Sequence, residues 1–187
     1  MTEDLEASAE LAWREFRQRL ADRLAAAEED DILLVEVEAG VADDDLHGAA
    51  PYAQFVGWGE GMLRAEVVSN VYLDERFGLT ADDERVLTDM GWSEPAYDDD
   101  GDPVAGEANF HLDAPVREAD RVAVLAVRAL REVFGCPHPA FLAADGLEPV
   151  SVAAAEPARA DGEVELAYPD DVDHLQSLVD AALEVMF

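Results

Sequence analysis

The chain has 187 residues, 50% of them hydrophobic, with 44 acidic residues against 12 basic ones. That length suits one domain able to bury its own core, so residues 1–187 are expected to form one unit, with 143–187 as a C-terminal extension. A formal net charge of −32 repels phosphate and disfavours nucleic acid and anionic membranes as partners, and no arginine cluster stands free of neighbouring acids.

Every basic residue is arginine, a usage that fits a GC-rich genome or a high-salt cytoplasm. Two predicted helices hold Arg14, Arg17, Arg19 and Arg23, then Arg117, Arg121, Arg128 and Arg131. Surplus negative charge therefore gathers in loops such as Asp43-Asp44-Asp45 and Asp98-Asp99-Asp100. Cys136 is the single cysteine, which rules out an internal disulfide and fits a reducing compartment. The start MTEDLEASAE is acidic where a signal peptide is basic, and no apolar run approaches the roughly 20 residues of a membrane span. A cytoplasmic location is the expectation.

In chain order, a helix is predicted over Glu3–Ala27, with Thr2 as cap and Glu3, Asp4 and Glu6 at its positive end. Ala9, Trp13, Phe16, Leu20 and Leu24 recur three and four apart and form its apolar stripe. A strand follows at Ile32–Glu38, then a polar connection at Gly40–Ala50. Pro51–Leu73, reading PYAQFVGWGEGMLRAEVVSNVYL, has the pattern of a hairpin turning on Gly59-Glu60-Gly61. In its first half Tyr52, Gln54, Val56 and Trp58 oppose Ala53, Phe55 and Gly57. In its second half Leu63, Ala65 and Val67 oppose Arg64 and Glu66.

Thr80 begins a helix through Met90, with Asp83 placed for a capping box and Gly91 as the stop. Ser93–Gly106 reads as an acidic loop, Phe110–Leu112 as a strand, and Val116–Phe134 as a helix buried along Val122, Leu125, Ala126, Ala129, Leu130 and Val133. Gly135 and Pro137 end it. Further on, Phe141–Leu142, Pro149–Val152 and Glu163–Tyr168 read as extended, and a final helix opens at Asp170 or Asp171. The sum is an α+β arrangement of antiparallel sheet against helices.

The segments QFVGWGEGMLRAEVVSNVYL, NFHLDAP and LREVFGCPHPAFL resemble an actinobacterial family, the TY-Chap branch of the type III secretion chaperone-like and YbjN-like superfamily. The resemblance spans about Glu3 to Leu142. It implies a curved antiparallel sheet packed against N-terminal and C-terminal helices, and a non-enzymatic peptide-binding or protein-binding role, with no cofactor.

A chaperone of that kind offers apolar surface and a sheet edge to an extended client. The candidate partner-binding residues are Tyr52, Phe55, Val56, Trp58, Leu63 and Val67, each of which also suits an ordinary core position. The face carrying Tyr52, Gln54, Val56 and Trp58 is too apolar for open solvent and calls for a client, a dimer partner or the C-terminal helix, and a homodimer is the expected state. A structural or regulatory protein with one dedicated partner is the alternative reading.

His111, Cys136 and His138 supply no zinc-ligand spacing and no recognisable orienting acid, so catalytic and metal-binding residues are not expected. Cys136 reads as a small buried residue past a helix end, and His138 as a turn residue. In Asp98–Glu107, aligning Gly101 with the glycine of a calcium loop puts Ala96 at the first ligand position, which disfavours calcium.

Overall fold

A computed structural model describes residues 2–38, 40 and 47–147. They lie in the compact unit Met1–Val150. Its elements are α1 (Thr2–Ala25), β1 (Ile32–Val37), β2 (Tyr52–Trp58), β3 (Met62–Val67), α2 (Ala81–Met90), β4 (Phe110–Pro115), α3 (Ala119–Arg128) and β5 (Leu142–Ala143). The expected strands at Pro149–Val152 and Glu163–Tyr168, and the expected final helix, lie outside the described residues.

The strands form one open antiparallel sheet in the order β4-β3-β2-β1-β5. Helices α1 and α3 pack on one another and close over a single face of it. Period-two alternation decides which side chains lie beneath them. Leu33 and Val35 of β1, Ala53 and Phe55 of β2, Leu63, Ala65 and Val67 of β3, and Phe110, Leu112 and Ala114 of β4 are all buried. They meet Trp13, Phe16, Leu20 and Leu24 from α1, and Val122, Leu125 and Ala126 from α3. The 3.6-residue stripe of each helix therefore fits the two-residue stripe of each strand, and the apolar area removed from water drives the assembly.

The hairpin turns as its glycines suggest: Glu60 and Gly61 both take positive φ, at 63° and 71°. The Gly61 carbonyl also accepts from Val116 N–H at 2.8 Å, tying the turn to the end of β4. Gly57 serves a close approach instead. It lies under the turn that follows α1, donating to the Asp31 carbonyl at 2.8 Å and accepting from Asp30 N–H at 2.9 Å. A Cβ at this position would run into the Glu28 carbonyl oxygen.

Helix α2 has the expected ends. Thr80 Oγ1 accepts from Asp83 N–H at 3.3 Å, while Thr80 N–H donates to Asp83 Oδ2 at 2.9 Å. Gly91 closes the other end in the left-handed region, at φ 105°. Strand β4 runs three residues beyond the expected Leu112, because Asp113, Ala114 and Pro115 stay in register with Arg64, Leu63 and Met62.

The long helix expected at Val116–Phe134 is three pieces. A 3₁₀ turn (Val116–Glu118) leads into α3, which gives way to a π turn over Ala129–Val133. Phe134 N–H donates to the Ala129 carbonyl, closing the wider ring.

Candidate functional site

The face of the sheet away from the helices is built by the other half of each strand. Register sets it out in rows running from β1 to β4. Ile32, Val56, Arg64 and Asp113 share one row, and Leu34, Gln54, Glu66 and His111 share the next. Trp58 and Met62 pair beside the hairpin turn. The face thus divides into a polar half on β3 and β4 and an apolar half on β1, β2 and the turn.

The polar half satisfies itself. Arg64 donates to both oxygens of Asp113, at 2.8 and 2.7 Å, and to the Gly106 carbonyl at 3.1 Å. The guanidinium holds the Asp113 carboxyl below its ordinary range. Buried Asn109 donates to Tyr52 Oη and to Glu66 Oε2, both at 3.1 Å, and accepts from Ser69 N–H. Partial burial pushes the Tyr52 phenol up from its usual value.

The apolar half is bare among the described residues. Ile32 is 66% exposed, Leu34 43% and Trp58 48%. Val56 and Met62 are half-buried between them. Of the six expected binding residues, Tyr52, Val56 and Trp58 come together on this face. Phe55, Leu63 and Val67 do not: at 1%, 1% and 0% exposure they are core beneath α1 and α3, and their expected partner-facing role is corrected accordingly. Ile32, Leu34 and Met62 belong to the bare patch and were missed. The signal for two of them was the unbroken apolar run Ile32–Val35, which cannot alternate and so places apolar side chains on both faces.

The same patch adjoins an open sheet edge. Val37 N–H donates to the Pro51 carbonyl on the β2 side, and Glu38 N–H donates to the Phe141 carbonyl on the β5 side. Backbone groups alternate along an antiparallel ladder, so Leu33 and Val35 face β2 while Ile32 and Leu34 face outward. Strand β5 covers only Glu36 and Val37. No described residue pairs with Ile32 or Leu34 on that side. A groove of about 270 Å³ runs there, lined by Ile32, Leu34, Glu36, Ala143, Ala144 and Asp145 among others.

The thiol and imidazoles are placed elsewhere. Cys136 is buried, which pushes its thiol up, and it donates to the His138 carbonyl at 3.4 Å. His138 Nδ1 accepts from Ala140 N–H at 3.0 Å and so caps a short turn. His111 lies on the outer sheet face opposite Glu66. The three side chains do not converge as nucleophile and base. In the acidic loop, Asp98 Oδ1 accepts from the N–H groups of Asp100 and Asp102, so that carboxylate oxygen is engaged by its own backbone.

Among the described residues, an open antiparallel sheet with helices on one face and a bare apolar strip at its edge makes an α+β scaffold of the chaperone-like type. The chain belongs to the TY-Chap3 family, described as T3SS (YopN, CesT) and YbjN peptide-binding chaperone 3, whose model matches residues 6–148. No curated protein and no solved structure matches it. No helix among the described residues is long and apolar enough to cross a membrane.

Proposed function

We propose that this chain is a cytoplasmic, non-enzymatic holder of an extended peptide segment, taken up as an added strand along the open edge of β1. The carrying observation is that the outward backbone groups of Ile32 and Leu34 lack described partners beside an exposed apolar row. Backbone hydrogen bonds supply sequence-tolerant affinity, and alternate client side chains lie over Ile32, Leu34, Val56 and Trp58. Tyr52 frames the polar end of the patch. Glu36 and Asp145 line the groove, so a client with apolar residues at every second position and Arg or Lys between them is favoured.

Burial contributes roughly 25 cal/mol per Å² of apolar area, before the cost of ordering the client. A second copy meeting β1 edge to edge would use the same backbone groups. A homodimer through this edge and client binding therefore exclude each other.

The test is a peptide selected from a random library on the full chain, then remade with single N-methyl groups along its length. Strand addition predicts that methylation at alternate residues abolishes binding while the intervening positions tolerate it. Uniform tolerance would contradict strand addition. The alternative of a single dedicated partner predicts that such a library yields no binder.

A further inference from the structure

On the helical side of the fold, arginines gather in a way the spacing of the sequence conceals. Glu10, Trp13, Arg14 and Arg17 lie three and four apart along one stripe of α1. Val127 and Arg131 approach them from α3 and the π turn, and together these residues line a cleft of about 250 Å³. Helical spacing would pair Glu10 with Arg14, four residues on. Arg131, 121 residues away in the chain, takes that carboxylate instead through both terminal nitrogens. Its guanidinium also stands 5.4 Å from the centre of the Trp13 ring.

Arg17 has no acid three or four residues away in either direction, since those positions hold Trp13, Arg14, Leu20 and Ala21. Neither Arg14 nor Arg17 makes an ion pair with any described residue. Three arginines therefore line one cleft in which Glu10 is the one acid among the described lining residues, in a chain whose net charge is −32. The contact between distant helices engages both oxygens of Glu10 and leaves Arg14 and Arg17 without a described ion-pair partner.

We infer that the α1–α3 seam is a docking cleft for a short carboxylate-bearing segment of a partner protein. The cleft is small, about 250 Å³, which suits a short segment. A long polyanion such as nucleic acid, or an anionic bilayer, would extend onto the surrounding acidic surface and be repelled. A brief acidic stretch meets three arginines against one acid, Glu10, that Arg131 already engages, and charges beyond the Debye length of about 8 Å at physiological salt are screened. Arg14 and Arg17 carry like charge at a spacing that opposes the helix, and a bound carboxylate relieves that repulsion. The site is separate from the β1 edge and does not depend on it.

The full ¹⁵N-labelled chain, titrated with a short blocked peptide of alternating Glu and Gly, tests this through the arginine Nε–Hε resonances. Those of Arg14, Arg17 and Arg131 are expected to shift saturably. The same peptide with Gln for Glu should leave them in place, and raising the salt to about 1 M, where the Debye length is about 3 Å, should remove the response. The double variant Arg14→Gln, Arg17→Gln alters only side chains at the surface of α1 and should lose the Arg131 shift as well. Trp58→Ala should keep all three shifts. Equal response to the Gln peptide, or an undiminished Arg131 shift in the double variant, would overturn the inference. So would a response to inorganic phosphate or anionic vesicles with none to the Glu peptide, or a self-association lost in the double variant without any peptide response.

Discussion

Arg64 and Asp113 stand directly opposite each other on β3 and β4, and the guanidinium grips the carboxylate through two parallel hydrogen bonds. This pair ties β3 to β4 across the polar half of the outer face, beside a neighbouring half of apolar side chains. Arg64→Met should cost about 1 kcal/mol at neutral pH, the upper range for a partly exposed ion pair. Because the Asp113 carboxyl is held low in the folded state, its contribution is full above the unfolded value of about 3.9 and is lost as pH falls through the lower folded value. Urea unfolding across that acid range should show the gap between parent and variant closing; a constant gap would contradict the pairing.

Trp58 and Phe55 lie on the same strand and face opposite ways. Trp58→Ala should change stability by less than about 1 kcal/mol, as for a surface site. It should weaken a bound extended peptide by about tenfold, the loss expected of a central aromatic anchor. Phe55→Ala opens the core and should cost about 3–5 kcal/mol. Thermal denaturation of the two variants, beside peptide titration of the first, separates the roles. A destabilised Trp58 variant would mean that its face is already covered.

Gly57 has no room for a side chain because the backbone at Glu28 crosses it. Gly57→Ala should therefore destabilise the fold by at least the 1–3 kcal/mol usual for overpacking. Gly59→Ala, whose Cβ would meet only the Glu29 side chain at 3.5 Å, should cost far less. Chemical denaturation of the pair measures the contrast.

The cap of α2 gives a smaller effect. Thr80→Ala removes the acceptor for Asp83 N–H and should cost about 1 kcal/mol, whereas Thr80→Ser should nearly preserve stability. Equal loss in both variants would show that the threonine methyl, not its oxygen, is what counts.

The features legible in the sequence were those fixed by local chemistry. Alternation and two glycines marked the hairpin, and Thr80, Asp83 and Gly91 marked α2 at both ends. Alternation also divided β2 and β3 correctly into two faces, but it could not say which face the helices cover; Phe55, Leu63 and Val67 were misplaced for that reason. Clues were present in Gln54, Arg64 and Glu66, whose polarity belongs to the uncovered side. Strand order lies beyond local pattern, so the open edge at Ile32 and Leu34 appeared only once β5 was seen to stop at Ala143. The Arg131–Glu10 contact joins residues 121 positions apart, and no helical periodicity encodes such a meeting.

Hydrogen exchange at individual β1 amides tests the central claim most directly. In the free chain, the amides of Leu33 and Val35, directed at β2, should exchange slowly, and those of Ile32 and Leu34 should exchange fast. Addition of a selected peptide should protect Ile32 and Leu34 and leave the other two unchanged. Protection of Ile32 and Leu34 before any peptide is added, or none after saturation, would contradict an edge that takes up its client as a strand.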